Sequence, residues 1–133
     1  MKRVAKKSGT PVGYMDTVKT KKGMNMKISK KEFRKNVIEN MSLSLVQFKV
    51  DWSGACQIIS PIFNELAVSY KGRADFFTID VEQNEEINTE YGVTELPTIL
   101  FFREGKIVDH IKGLVPKNVM IYKIENALSN QAN

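Results

Sequence analysis

The sequence predicts an α/β domain, on two observations. Apolar, strand-like runs alternate with amphipathic stretches of helical period, in the order β-α-β-α-β-α-β-β-α. The run at residues 42–50 is apolar almost throughout, with Leu43, Leu45, Val46, Phe48 and Val50. Continuous rather than alternating apolar character marks a strand covered on both faces, as central parallel strands are. With 133 residues, 42% hydrophobic and 26% charged, the chain suits one soluble domain with a substantial core.

Each element has its own signal. Residues 24–28 alternate apolar and polar side chains, as a short edge strand does. Ser29-Lys30-Lys31-Glu32 is a capping box, and it predicts a helix burying Phe33, Val37 and Met41. After the 42–50 strand, residues 54–70 place Ile59, Phe63, Leu66, Ala67 and Tyr70 at helical spacing, with Pro61 expected to bend the helix. Gly72 ends it, and residues 74–81 form a second buried strand through Phe76, Phe77 and Ile79. Residues 84–91 predict a short helix, with Ile87 and Tyr91 inward and Gly92 as its stop. Residues 98–102 form an apolar strand. Arg103-Glu104-Gly105-Lys106 then turns the chain into a hairpin partner at 107–112. Pro116 opens a last helix with Met120, Ile124, Ala127 and Leu128 inward. The phenylalanines 76, 77, 101 and 102 read as core, and residues 82–86 as a solvated helix start.

Charge is concentrated at one end. The net charge is +5, but residues 1–23 hold seven Lys/Arg against one Asp, so the remainder is −1. The domain expectation is a basic, disordered extension at residues 1–23 and a folded domain at 24–133. A basic tail can touch nucleic acid or an anionic membrane, but this one has no aromatic interleaving beyond Tyr14, and no nucleic-acid partner is expected. No apolar run approaches the roughly 20 residues that span a bilayer, and the N-terminus lacks a secretory h-region. With one cysteine, Cys56, no disulfide framework is possible and cytoplasmic residence is expected. No Cys/His spacing suggests a metal, and no cofactor is expected.

A further set of landmarks runs along nearly the whole chain outside the tail. Val46-Gln47-Phe48 leads into Trp52-Ser53-Gly54-Ala55-Cys56 and then Ile59-Ser60-Pro61-Ile62-Phe63. Ile79-Asp80-Val81-Glu82-Gln83-Asn84, Tyr91-Gly92-Val93, Leu96-Pro97-Thr98, Phe102-Arg103-Glu104-Gly105 and Gly113-Leu114 follow in order. In these landmarks, residues 24–130 resemble the thioredoxin family. The resemblance implies the thioredoxin fold, a central mixed β-sheet flanked by helices on both faces, with a cis proline at Pro97. It also implies a redox motif at the turn into the long helix. There the family carries a Cys-x-x-Cys pair whose first thiol attacks a client disulfide and whose second resolves the mixed disulfide.

This sequence departs from that pattern. Ser53 replaces the nucleophilic cysteine, and a serine hydroxyl is too weak an acid to substitute without an activating base. The one histidine, His110, lies on the hairpin strand, with no reason to reach Ser53. Gln47 stands where the family usually has a buried Asp, Lys49 where it usually has a Trp, and Thr78 best matches a lysine often found near that Asp. The losses agree with one another, which favours a native Ser53 over an engineered one.

Two readings remain open for several residues. Ser53 is an N-cap that accepts from the Cys56 amide, or it also bonds a bound thiol or peptide. Cys56 is a buried structural thiol, or a reactive monothiol favoured by the helix N-terminus. Trp52 packs, or it joins Gly54, Ala55, Leu96, Pro97, Gly113 and Leu114 in the groove that the resemblance implies for an extended client segment. The expected function is that of a thioredoxin-like protein with dithiol exchange lost or weakened, whose groove binds client proteins or peptides, thiol-bearing ones included. The alternative is a monothiol enzyme using Cys56 on peroxide, glutathione mixed disulfides or a partner's disulfide. Oligomeric state is undetermined.

Overall fold

The computed structural model describes residues 24–130. The expectation of a disordered tail at residues 1–23 lies outside them. The chain forms β1 (Asn25–Lys27), α1 (Lys30–Phe33) running into a π-helical turn (Arg34–Ile38), β2 (Leu43–Lys49) and α2 (Gly54–Ser69). It continues through β3 (Ala74–Asp80), α3 (Glu85–Glu90), β4 (Thr98–Arg103), β5 (Lys106–Lys112) and α4 (Lys117–Ser129). The five strands form one mixed sheet in the order β1-β3-β2-β4-β5. β1 and β2 both pair parallel to β3, while β4 pairs antiparallel to β2 and to β5.

Every side chain of β2 is buried except Lys49, because helices cover both faces of the sheet. Alternate residues face opposite ways. Leu43, Leu45, Phe76, Ile99 and Phe101 pack with Ile59, Phe63 and Leu66 of α2 and Met120 and Ile124 of α4. Val46, Phe48, Phe77, Ile79, Leu100 and Phe102 pack on the other face with Phe33, Val37 and Ile87. The two phenylalanine pairs are thereby divided between the two cores, and burying each ring stabilises the fold by roughly 1.5–3 kcal/mol.

Two elements differ from the sequence expectation. The Ser29 amide donates to the Glu32 carboxylate at 2.8 Å as the capping box requires, but the helix then widens, with Glu39 N–H bonding Arg34 C=O. Asn40 closes the exit. Its side-chain amide donates to Asn36 C=O (3.0 Å) and to Asp75 Oδ2 (2.9 Å), and its Oδ1 accepts from Ser42 N–H. The chain therefore leaves the helix before Met41, which is 73% exposed rather than inward. Asn84, expected on a solvated helix start, is buried: it accepts from Lys30 N–H and donates to Asp80 C=O, tying α1 to the end of β3.

Candidate functional site: the Ser-x-x-Cys turn

Register fixes the site. β2 delivers the chain to the turn at the same end of the sheet where β3 stops, with Lys49 paired to Asp80 and Val81 N–H bonding Lys49 C=O. The Phe48–Thr98 pair sets Pro97 beside the end of β2, and the Thr98–Lys112 pair sets Gly113 beside Pro97. Three loops distant in sequence thus converge on the N-terminus of α2.

At that terminus Ser53 is extended (φ −81°, ψ 126°), and its Oγ accepts the Cys56 N–H at 3.3 Å. Its C=O accepts the first helical bond, from Gln57 N–H at 3.0 Å, and the Gln57 side chain braces the turn through Asp51 C=O at 2.9 Å. Lys49 pairs with Asp51; hydrogen bonding and then the charge of that ammonium hold the Asp51 carboxyl below its ordinary range. Trp52 turns outward, 71% exposed, and its indole N–H donates to Glu82 Oε2 at 2.8 Å. Cys56 is only 1% exposed. It borders a recess of about 120 Å³ with Lys49, Val50, Asp51, Gln57 and Ser60.

The facing wall is the Leu96–Pro97 peptide, which is cis. Gly113 N–H donates to Pro97 C=O at 2.8 Å, and Gly113 has φ +75°. The Glu95 carboxylate lies against this glycine, 2.6 Å from where a Cβ would stand. Any larger residue here would be strained and would displace Glu95. Pro97 is buried, Leu96 half-buried, and Leu114 exposed at the rim. Gly54 is exposed and Ala55 half-buried at the opposite lip.

Behind the turn, Gln47 is wholly buried and holds a neutral network between the sheet and α2. Gln47 Nε2 donates to Ser60 Oγ at 3.0 Å. Thr78 Oγ1 stands 2.7 Å from Asn25 Oδ1 and 3.4 Å from Gln47 Oε1; its single proton goes to the nearer acceptor. Asn25 Nδ2 in turn donates to Asn64 Oδ1 at 2.9 Å. Amides and hydroxyls stand where a carboxylate and an ammonium would, so nothing here can take a proton from a neighbouring thiol at neutral pH.

The geometry assembles Trp52, Ser53, Gly54, Ala55, Cys56, Leu96, Pro97, Gly113 and Leu114 at one end of the sheet. His110 lies outside this group, exposed on β5. Sequence reasoning missed Glu82 and Glu95, which hold Trp52 and cover Gly113. It also missed Asn25, Ser60 and Asn64 as partners around Gln47 and Thr78. The Ser-x-x-Cys turn at a helix N-terminus beside a cis proline has the arrangement of a thioredoxin fold, with one thiol.

The comparisons with known proteins agree with this geometry. The sequence model of the thioredoxin family matches residues 24–126. Thioredoxin of Chlorobaculum thiosulfatiphilum is 32% identical over 103 residues, covering 77% of this chain and 95% of that protein. Thioredoxin 2 of Chlorobaculum tepidum is 30% identical over 103 residues (77% and 94%), and a Staphylococcus aureus thioredoxin is 39% identical over 75 residues (56% and 72%). The chain belongs to the thioredoxin family, a family of thiol–disulfide oxidoreductases. Among the described residues no helix is long and apolar enough to cross a membrane.

Proposed function

We propose that this chain is a thioredoxin-family protein in which dithiol exchange is lost and the groove beside the motif binds extended client segments, thiol-bearing ones included. The observation that carries the reading is the state of the motif itself. Ser53 is engaged as the helix cap, and the remaining thiol, Cys56, is buried beneath it. A disulfide exchange needs an exposed attacking thiolate and a second thiol to release it; this turn supplies one buried thiol. Gln47 and Thr78 add support, because a resolving step served by a base has been replaced by a neutral network.

The groove argues for binding. Trp52 is exposed yet held by Glu82, and Leu114, next to Gly113, is exposed as well. Among the described residues the Leu96 backbone N–H and C=O have no hydrogen-bond partner, which suits pairing with an extended peptide. The folded unit in this reading is residues 24–133, the first 23 residues are an extension, and the setting is cytoplasmic.

A second reading draws on the recess that Cys56 shares with Lys49 and Ser60: a small oxidant or mixed disulfide reaching that thiol would make the protein a monothiol enzyme. Insulin reduction by dithiothreitol tests the first reading. The expected rate equals the free-thiol background, and turnover above it overturns the loss of dithiol exchange. Turnover of a glutathione mixed disulfide that disappears in Cys56→Ala would establish the second reading instead.

A further inference from the structure

β5 is an edge strand with an open outer side. It closes the order β1-β3-β2-β4-β5 and pairs only with β4. Gly113 N–H donates to Pro97 C=O at 2.8 Å, and antiparallel pairing alternates from there. Ile111 and Asp109 therefore turn their peptide groups into β4, while Lys112 and His110 turn theirs outward. The bond of His110 N–H to the carboxylate of its own neighbour Asp109, at 2.8 Å, agrees with that phase. Among the described residues, no other element bonds to the peptide groups of this outer side. The strand also carries apolar side chains into solvent: Ile107 is 46% and Val108 49% exposed. Outward peptide groups beside exposed Ile and Val are a template for another strand.

We propose that two copies of this chain pair antiparallel through β5, about a two-fold axis at His110, and join their sheets into one. Phase and charge select this register. A continuous sheet needs like faces matched, so the axis lies level with a residue and not between two. At Asp109 it would use peptide groups already spent on β4, and would set Lys106 against Lys112 and Asp109 against Asp109. At Val108 it would meet the bulge opposite Phe101 and Phe102. At Lys112 it would set two ammonium groups opposite each other. At His110 it uses the outward peptide groups, with Val108 of each copy facing Lys112 of the other and Asp109 facing Ile111. Asp109 keeps its pair with Lys123 of its own copy at 3.1 Å. A carbonyl of the second strand takes over the His110 N–H that Asp109 holds in the single chain. The contact is isologous and closes at two copies.

Sedimentation velocity of the full chain in reducing buffer tests this. The average mass should climb from one chain toward two as the protein is concentrated from micromolar to millimolar. His110→Lys and His110→Glu each put like charges opposite one another and should weaken association about fivefold. An equimolar mixture of the two variants should regain it. Lys112→Pro removes an outward amide that the single chain does not use, so it should leave a folded monomer at every concentration. A parent chain that stays single throughout overturns the proposal. So does association that ignores the charge at position 110, or that the mixture fails to regain, because the contact then lies elsewhere on the surface.

Discussion

Replacing Gln47 by Glu changes the fewest atoms and the most electrostatics. Gln47 is wholly buried, donates to Ser60 Oγ, and has only Thr78, Asn25 and Asn64 beyond it. Among the described residues no cation hydrogen-bonds this network; Lys49, which shares a recess with Ser60, is paired with Asp51. A carboxyl introduced there keeps the shape of the amide and, when protonated, can still donate to Ser60. Its ionised form would be buried without an ion-pair partner of its own, since Lys49 is held by Asp51, so desolvation raises its pKa above the unfolded value of about 4.3. A rise of about 2–3 units corresponds to roughly 3–4 kcal/mol, at about 1.4 kcal/mol per unit. The sign follows from proton binding. The folded state holds a proton that the unfolded chain releases, so the variant matches the parent below about pH 4. It then loses stability as pH rises through the interval up to its folded pKa, and is flat above it. Urea unfolding followed by far-UV circular dichroism from pH 4 to 8 measures this; Trp52 is too exposed to report on the core. A variant as stable as the parent across that range would refute the claim that the network is neutral and closed to cations.

Other predictions address the turn, the hairpin and an ionisable cluster. Ser53→Ala should cost about 0.5–1 kcal/mol in urea unfolding, the lower part of the N-cap range in view of the 3.3 Å bond, and Ser53→Asp should recover most of it. Ser53→Cys restores the pair; insulin turnover should stay far below that of a complete thioredoxin site, because Gln47 cannot serve as base. Glu104 occupies the left-handed region (φ 53°) in the β4–β5 turn beside Gly105, so Glu104→Asn should stabilise the protein by about 0.5–1 kcal/mol and raise Tm by a few degrees. Burial, and then the hydrogen bond at 2.8 Å to Glu125, push the Tyr70 phenol up to about 12. It should be the last tyrosine to ionise in an absorbance titration, its stabilising contribution intact below pH 10 and lost as pH climbs toward 12. Bonds from Tyr70 and Arg73 hold the Glu125 carboxyl low, so that pair weakens only as acid protonates Glu125.

The order of elements and both cores were legible in the sequence because each has a local signature; the residues around the Ser-x-x-Cys turn were named through the family resemblance. A continuous apolar strand, a capping box, an i, i+4 stripe and a turn glycine are read within a few residues. Met41 fell outside this because Asn40 ends the helix through a bond to Asp75, which lies 35 residues away. Asn84 did so because its partner Lys30 comes from α1. The same limit hid Glu82 and Glu95. A glutamate bonding an indole 30 residues earlier, or lying on a glycine of another loop, leaves no periodic trace. The network around Gln47 was half visible: the resemblance marked Gln47 and Thr78 as departures, and only the fold shows that Asn25, Ser60 and Asn64 complete a neutral substitute.

The central claim is that function resides in the groove and not in the remaining thiol. Alkylation of Cys56 in the folded protein, followed by intact mass, tests it most directly. With the thiol 1% exposed, modification should run about a thousandfold slower than in urea and should track unfolding. Rapid modification of the native protein through the recess beside Lys49 would contradict the account and make Cys56 the seat of the chemistry.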